Sequence, residues 1–247
     1  MQAYIAELSD ISEENLHGRL SLAVYFAGCD FHCVGCNTPA LREFKSVYMK
    51  ELREVKNHIK MRMPTAVTFT GGEPCLQKEA LFDLAKFCRR LGIKTAIETN
   101  GSRPDVLRAL LLMELIDFVA LDIKAPLTKD IFQRVSRCNT FFKGTDSVIE
   151  DITCSIDVLK EFQAKNPKLD IEFRTTIIPG NIYRKEHILE IADKISGFYS
   201  RYRLQQYRPE NVADKNMKNI NSPSKEFLKN LANAIRKQYP DMRVVVS

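Results

Sequence analysis

The sequence has no uninterrupted apolar stretch of membrane-spanning length, and it does not open with a basic segment followed by an apolar one. These two absences argue against a membrane span and against a secretory signal. The sequence also has no low-complexity tract, no repeat of fixed length and no linker rich in glycine and serine. We therefore expect a single cytoplasmic domain over residues 1–247.

The sequence also gives no sign of a disulfide framework or of a strongly charged surface. The seven cysteines are an odd number, and four of them are scattered singly, which argues against a secreted disulfide framework. The net charge of +6 is modest, and the basic residues are spread along the chain. Such a charge is typical of a solvated face, so we expect no nucleic-acid partner.

Apolar, β-branched runs alternate along the chain with stretches of helical period. Parallel strands need helical crossovers, so this alternation predicts an α/β fold, a partial (β/α)₆ TIM-like barrel with parallel strands. The segment Ala3–Leu8 is a further predicted strand, at the edge of the sheet. The predicted barrel strands are Leu20–Ala27, Thr65–Thr70, Ile93–Glu98, Phe118–Ile123, Leu169–Ile178, Tyr202–Tyr207 and Met242–Val246. The predicted helices are Val47–Met61, Lys78–Leu91, Pro104–Leu115, Val148–Ala164, Lys185–Ile195 and Ser224–Gln238.

Three cysteines lie in one short loop directly after the first barrel strand. Cys29, Cys33 and Cys36 form a C-x₃-C-x₂-C run that contains no fourth cysteine. Such a run can place three thiolates on one cubane cluster and leave one iron open for chemistry. The alternative is a closed zinc site of the Cys₃His type, with His32 or the more distant His17 as the fourth ligand.

A second motif, Gly71-Gly72-Glu73-Pro74, follows the next strand along the chain. Two glycines let backbone approach a ligand closely, and the Glu73 carboxylate stands at the strand end. The alternative is a tight strand-to-helix turn with Pro74 near the first helical turn. In barrels of parallel strands the chemistry gathers at the carboxyl ends of the strands, where both motifs are predicted to lie.

Together, the two motifs resemble those of the radical S-adenosylmethionine superfamily, and the resemblance extends over nearly the whole chain. It implies that the three cysteines of the loop bind a [4Fe–4S] cluster and that S-adenosylmethionine chelates the fourth iron. It implies further that Gly71, Gly72 and Glu73 hold the methionine moiety of this cofactor.

Later strand ends look like those of glycyl-radical-enzyme activases, in particular the activating proteins of anaerobic ribonucleoside-triphosphate reductase. This resemblance implies that Glu98 and Asn100 lie near the ribose and that Arg208 lies near the nucleoside. It also implies that Lys124 and Arg174 lie near the cofactor carboxylate, for which the planar arginine fork is well suited. The matching runs are Glu98–Gly101, Ala120–Pro126, Arg174–Gly180 and Leu204–Pro209.

The same resemblance implies a monovalent-cation site formed by Glu98, Thr99 and Asp122, with magnesium as the alternative ion. The chain departs from the family at Gly35, where many members have an aromatic residue that lies against the adenine. We expect this contact to come from elsewhere, with Phe31 and Tyr25 as candidates.

The implied activity is that of a radical oxidoreductase. An external electron donor such as a flavodoxin or a ferredoxin reduces the cluster, and S-adenosylmethionine is cleaved to methionine and a 5′-deoxyadenosyl radical. This radical takes a hydrogen atom from a substrate. For an activase the substrate is a glycine Cα of a partner glycyl-radical enzyme, so the mouth of the barrel must admit a protein loop.

Two other functions fit the sequence. One is a small-molecule radical enzyme such as 7-carboxy-7-deazaguanine synthase. Thr38 resembles the threonine of that family's Cys-Asp-Thr run, which meets a magnesium ion, although Asn37 replaces the aspartate. The other is a zinc-stabilised binding module without catalysis. The exit of the cysteine loop, Asn37-Thr38, also differs from the Cys-His-Asn-Pro run of many activases.

Overall fold

The computed structural model of the protein describes residues 1–12, 20–138, 143–198, 200–210 and 212–247. Within these ranges, one sheet carries the strands and helices cover its outer side. The strands are β1 (Gln2–Leu8), β2 (Ser21–Phe26), β3 (Met49–Glu51), β4 (Ala66–Gly71), β5 (Lys94–Thr99), β6 (Phe118–Asp122), β7 (Asp170–Ile177), β8 (Arg201–Gln206) and β9 (Arg243–Val246). The helices are α1 (Leu52–Arg62), α2 (Lys78–Arg90), α3 (Pro104–Leu112), α4 (Lys129–Ser136), α5 (Thr145–Lys165), α6 (Lys185–Lys194), α7 (Lys215–Lys218) and α8 (Lys225–Gln238).

The strand order across the sheet is β3-β1-β2-β4-β5-β6-β7-β8-β9. All neighbours from β2 to β9 are parallel, whereas β1 is antiparallel to both β2 and β3. The sheet ends at β3 and β9 and does not close. This confirms the predicted α/β fold, a partial barrel of parallel strands with helical crossovers.

Three details differ from the sequence prediction. The helix predicted over Val47–Met61 begins only at Leu52, because the residues just before it form β3 on the outer side of β1. The predicted edge strand Ala3–Leu8 is therefore the second strand of the sheet and not its edge. The short helices α4 and α7 were not predicted. Among the described residues, no helix is long and apolar enough to cross a membrane.

Different kinds of side chain cover the two faces of the sheet. The large apolar side chains pack between the sheet and the helices and form the main core. On the inner face, Ala66, Ala96, Ala120 and Phe118 form a separate small cluster. Side chains alternate between the faces of a strand, so the register that places these four inward also places the polar residues of the same strands inward.

Ionised side chains lie on the inner face of the sheet next to this cluster. Glu172 is 1 % exposed and accepts hydrogen bonds from Arg174 Nε (2.7 Å) and from Arg203 Nε and Nη2 (3.0 and 2.9 Å). Arg201 is a third ion-pair partner. Burial alone would raise the pKa of Glu172, but Arg203 and Arg174 lower it to about 2. This carboxylate is therefore the anion that makes the arginines on β7 and β8 compatible with burial.

We expect Glu172→Gln to lower the free energy of unfolding by about 3–5 kcal/mol, because it leaves buried arginines without their counter-ion. Denaturant unfolding of the metal-free protein measures this loss. The folded-state pKa of Glu172 lies below its ordinary value of 4.5, so its contribution is present above that pH and is lost as the pH falls towards 2. The difference in unfolding free energy between the wild type and Glu172→Gln should therefore decrease as the pH falls. Glu150→Gln, at an exposed position on α5, is the control and should be neutral. Equal stability of wild type and Glu172→Gln would contradict this account.

Candidate functional site

The carboxyl ends of the parallel strands surround a cavity of about 310 Å³. The cysteine loop after β2 forms one wall, and the turn after β4 and the ends of β5 to β8 form the others. The cavity therefore lies where parallel barrels place their chemistry. The predicted site residues that line it are Cys29, Cys33, Cys36, Gly71, Gly72, Glu98, Thr99, Asn100, Asp122, Lys124 and Arg174.

The three cysteines of the loop are free thiols that face the cavity. Burial raises the pKa of Cys29, whose Sγ accepts a hydrogen bond from the Phe31 amide (3.4 Å). Burial also raises the pKa of Cys33 to about 11, although Lys124 and Arg42 act in the opposite direction. Cys29 and Cys33 are therefore protonated at neutral pH in the metal-free chain, and metal binding must displace their protons.

The donors around the cavity fit an iron–sulfur cluster better than a closed zinc site. His32 is exposed and does not line the cavity, and His17 lies outside the described residues. Among the described residues that line the cavity there is no histidine and no cysteine besides Cys29, Cys33 and Cys36. In a cubane cluster each thiolate binds a different iron, so three thiols without a fourth ligand suit that group and leave one iron open.

The glycines after β4 allow a close approach of two backbone segments. A Cβ on Gly71, whose φ is +115°, would lie 2.3 Å from the Phe26 carbonyl oxygen, and one on Gly72 would lie 2.2 Å from the Gly28 carbonyl oxygen. The Gly72 amide donates to Phe26 O and the Glu73 amide to Gly28 O, both at 2.8 Å. The turn therefore packs on the end of β2 with bare backbone facing the cavity. A short 3₁₀ helix, Pro74–Gln77, follows it, as the turn alternative predicts.

Glu73 lies behind this turn and does not line the cavity, which differs from the predicted contact with the methionine moiety. Its carboxylate is fully buried and accepts hydrogen bonds from the Cys75 amide (3.0 Å), the Thr99 hydroxyl (2.8 Å) and the Asn100 amide (2.7 Å). Burial and the nearby Asp30 raise the pKa of Glu73 to about 7. The side chain joins the glycine turn to the end of β5, because both its oxygens are used by those segments.

Asn100 extends this connection to the cysteine loop. Its side-chain amide donates to Asp30 Oδ1 (2.8 Å), and its Oδ1 accepts from the Ser102 amide (2.9 Å). Asn100 borders the cavity as predicted, but its polar atoms already bind protein. A chain of hydrogen bonds thus runs from the cysteine loop through Asn100 to Glu73.

The two cations predicted to bind the cofactor carboxylate both have carboxylate partners in the protein. Lys124 Nζ donates to Asp122 Oδ2 (2.7 Å). Arg174 pairs with Glu98 and also with the buried glutamate of the inner face. Burial alone would lower the pKa of Lys124 and of Arg174, but their anionic neighbours raise both. Both side chains are therefore charged and internally neutralised.

The predicted cation site is not assembled from the side chains of Glu98, Thr99 and Asp122. Neighbouring residues of a strand point to opposite faces, and the Thr99 hydroxyl donates to the buried carboxylate behind the turn. Glu98 and Asp122 each have a cationic partner. Arg208 is exposed and does not line the cavity, so the structure does not bring it to the predicted nucleoside position.

The site also contains residues that the sequence analysis missed. Arg42 lines the cavity, and its Nη2 donates to the Cys33 carbonyl oxygen (2.6 Å). Ile178 fills the space beside Gly35, since a Cβ there would lie 2.6 Å from Ile178 Cδ1. The expected apolar contacts Phe31 and Tyr25 both border the cavity, as do Val135, Thr176 and Gln205. No motif marks Arg42 in the sequence. Ile178 stands at a predicted strand end, which is a signal that could have found it.

Comparisons with known proteins relate the chain to one superfamily. The model of the Radical SAM superfamily matches residues 24–195, well over half of the chain. The chain is 29% identical over 246 residues to a protein of Methanocaldococcus jannaschii provisionally named a glycyl-radical enzyme activating enzyme, covering 99% of this chain and 96% of that protein. It is 36% identical over 107 residues to the pyruvate formate-lyase-activating enzyme of Clostridium pasteurianum (41% and 44% covered). It is 30% identical over 149 residues to the 7-carboxy-7-deazaguanine synthase of Methanopyrus kandleri (51% and 58% covered).

Solved structures share the fold. A radical SAM methyltransferase from Sphaerobacter thermophilus matches with a TM-score of 0.70 at 15% identity, over 92% of this chain and 66% of that one. The protein anSMEcpe with bound AdoMet and a Cp18Cys peptide matches with a TM-score of 0.53 at 16% identity, over 89% and 60%. At these identities the likeness concerns the fold alone.

The raised pKa of Glu73 makes a prediction about stability. A carboxyl group whose pKa is higher in the folded state favours folding at low pH, and this contribution is lost as the pH rises through about 7. We expect the unfolding free energy of the metal-free protein, relative to that of Glu73→Gln, to fall between pH 5 and pH 8. A difference in unfolding free energy between the two proteins that stays constant over this pH range would contradict a raised pKa. Glu79→Gln, on the exposed side of α2, should show no such change and serves as the control.

Proposed function

The chain belongs to the radical SAM superfamily, and from this premise we propose that it activates a partner glycyl-radical enzyme. The cofactors of this family are a [4Fe–4S] cluster and S-adenosylmethionine, and the chain uses both. The observation that carries the proposal is the similarity to the Methanocaldococcus jannaschii protein over nearly the whole length of both chains. The match to the pyruvate formate-lyase-activating enzyme supports the same reaction class.

The three thiols of the cysteine loop are the proposed ligands of the cluster. The three cysteines are free thiols that line one cavity, and the described lining of that cavity contains no further cysteine or histidine, which supports this assignment. The backbone at Gly71 and Gly72 is the proposed contact for the methionine amino group, because both glycines line the cavity and have no side chain of their own to cover it. Glu73 supports this turn from behind through its three hydrogen bonds.

The proposed reaction consists of a one-electron reduction followed by the transfer of a hydrogen atom. When bound, the cluster would supply one electron from a low-potential flavodoxin or ferredoxin for reductive cleavage of the sulfonium bond to C5′ of S-adenosylmethionine, which would give methionine and a 5′-deoxyadenosyl radical. The radical takes a hydrogen atom from a glycine Cα of the partner and leaves 5′-deoxyadenosine and a glycyl radical. The protein orients the reacting groups, and the apolar side chains Phe31, Val135 and Ile178 exclude water beside them.

The far wall of the cavity suits a peptide substrate. Thr176 and Gln205 stand at the ends of β7 and β8, and the threonine hydroxyl donates to the glutamine oxygen at 3.4 Å. These groups are uncharged and can donate and accept hydrogen bonds, as a peptide amide requires. Two cations that line the same cavity, Arg174 and Lys124, are neutralised by protein carboxylates. A peptide backbone therefore finds neutral polar partners on this wall.

A small-molecule radical enzyme of the 7-carboxy-7-deazaguanine synthase type is the second candidate. Several such synthases are related to the chain, though over about half of its length. Thr38 lines the cavity, and its hydroxyl donates to the Gly71 carbonyl oxygen at 3.4 Å. This hydroxyl borders the same cavity as the proposed cofactor site, and the resemblance to the synthases implies a magnesium ion as its partner.

We expect Cys33→Ala to prevent assembly of the cluster, because it removes one of three thiolate ligands. Anaerobic reconstitution followed by iron and sulfide analysis should give about four irons per chain for the wild type and little bound iron for the variant. Cys154→Ala, at an exposed cysteine of α5, should match the wild type. Equal iron loss in both variants, or a stoichiometric zinc ion in place of iron, would contradict the ligand assignment.

Incubation of the reconstituted protein with reductant, S-adenosylmethionine and a candidate glycyl-radical enzyme from the same genome tests the function. We expect a glycyl radical signal in electron paramagnetic resonance and a matching yield of 5′-deoxyadenosine. A partner whose radical glycine is replaced by alanine is the control and should give no glycyl signal. Formation of 7-carboxy-7-deazaguanine from its precursor would establish the second candidate instead. No reductant-dependent cleavage of S-adenosylmethionine would reject both.

A further inference from the structure

Arg42 connects two cysteines of the cysteine loop. Its carbonyl oxygen accepts a hydrogen bond from the Cys29 amide (2.9 Å), and its Nη2 donates to the Cys33 carbonyl oxygen (2.6 Å). The backbone of Arg42 is thus held at the first cysteine of the run, and the end of its side chain is held at the second. The residue also lines the cavity that the three thiols share. The middle of the side chain therefore lies between the segments that carry two of the proposed cluster ligands.

The Nε atom in the middle of this side chain is buried and has no hydrogen-bond partner. Among the described residues, the guanidinium makes its one hydrogen bond through Nη2 and forms no ion pair. A buried N–H of a charged group is costly when it has no acceptor. The Nε–H group therefore calls for an acceptor that the protein itself does not provide.

The proposed cluster would bring such an acceptor to this place. An oxidised [4Fe–4S] core carries two positive charges and three thiolate ligands carry three negative ones, so the group is anionic before its reduction and more so after it. The sulfur atoms of such clusters accept hydrogen bonds. These hydrogen bonds and the charges near the cluster are among the features that set its reduction potential.

The charge of Arg42 also acts on the thiols without a paired anion. Burial raises the pKa of Cys33, whereas Lys124 and Arg42 both act to lower it. Lys124 forms an ion pair with Asp122, and this carboxylate acts on the pKa of Cys33 in the opposite direction. Arg42 has no carboxylate partner in the described part of the chain. The positive charge of Arg42 is therefore not cancelled by a neighbouring carboxylate before it reaches the cluster ligands.

We propose that the Arg42 Nε–H group donates a hydrogen bond to a sulfur atom of the bound cluster and that its charge raises the reduction potential of the cluster. The inference rests on the proposed function, which makes Cys29, Cys33 and Cys36 the cluster ligands. Reduction by an external one-electron donor adds one negative charge to the cluster, and a fixed cation beside the sulfur atoms stabilises that charge. The hydrogen bond to the Cys33 carbonyl oxygen holds the guanidinium in this position.

The reduction potential of the reconstituted protein without S-adenosylmethionine tests this role. The wild type and Arg42→Gln are titrated anaerobically with titanium(III) citrate, and the reduced cluster is followed by electron paramagnetic resonance. We expect the ratio of reduced to oxidised cluster at a given potential to fall about tenfold in Arg42→Gln, which for one electron is a midpoint about 59 mV lower. Arg42→Lys should restore part of this shift, because it keeps the charge and loses the Nε–H group. Arg53→Gln removes the same charge at an exposed position on α1 and, as the matched control, should leave the potential unchanged.

Pulsed electron paramagnetic resonance of the reduced cluster tests the hydrogen bond itself. The arginines are labelled with the heavy isotope of nitrogen. We expect a weak coupling between the labelled nitrogen and the cluster in the wild type and in Arg53→Gln, and none in Arg42→Gln. A residue that only shapes the loop would give no such coupling.

An unchanged potential in Arg42→Gln at full iron content would overturn the proposal, as would equal shifts in Arg42→Gln and Arg53→Gln. Absence of the arginine coupling in the wild type would also overturn it, and this measurement decides the matter if Arg42→Gln fails to retain its cluster. Iron and sulfide analysis identifies that case. A wild type that assembles no iron–sulfur cluster would reject the ligand assignment and this inference with it. The expected shift without a glycyl radical in any partner would support this inference and reject the activase function alone.

Discussion

The contact between the glycine turn after β4 and the end of β2 is the constraint on which the rest of the site depends. Gly71 and Gly72 have no side chains to hold these backbones apart, and any Cβ would collide with a carbonyl oxygen of Phe26 or Gly28. The contact brings the cysteine loop and the glycine turn to one wall of the cavity. Two backbone hydrogen bonds fix their separation. The positions of the proposed cluster ligands and of the proposed methionine contact are therefore set together.

Charge pairing then decides what the cavity can bind. Lys124 and Arg174 both line the cavity, but each has an anionic partner, Asp122 at the end of β6 for the lysine and Glu98 on β5 for the arginine. Burial of a charge is costly without such a partner, which explains why these pairs are present. The same pairing leaves neutral polar groups, those of Thr176 and Gln205, on the wall formed by β7 and β8.

Helices and strands could be predicted from the sequence where they are long and their hydrophobic pattern is regular. The seven parallel strands and the long helices were found within a few residues, since apolar alternation and helical period report directly on burial. The three-residue strand β3 (Met49–Glu51) was missed because pairing with β1 decides its conformation, and its own composition does not. The eight-residue α4 (Lys129–Ser136) was missed because a short amphipathic stretch carries little periodic signal.

By itself, the sequence determined the cysteine spacing, the glycine turn and their places after two successive parallel strands. These features are local, and their chemistry follows from residue type and order. Only the tertiary structure decided that Glu73 faces away from the cavity, that Arg174 is paired with Glu98, and that Arg42 reaches the Cys33 carbonyl. The physical reason is that hydrogen bonds and ion pairs depend on distances between atoms. Those distances are set by how strands packed side by side bring together residues that are far apart along the chain.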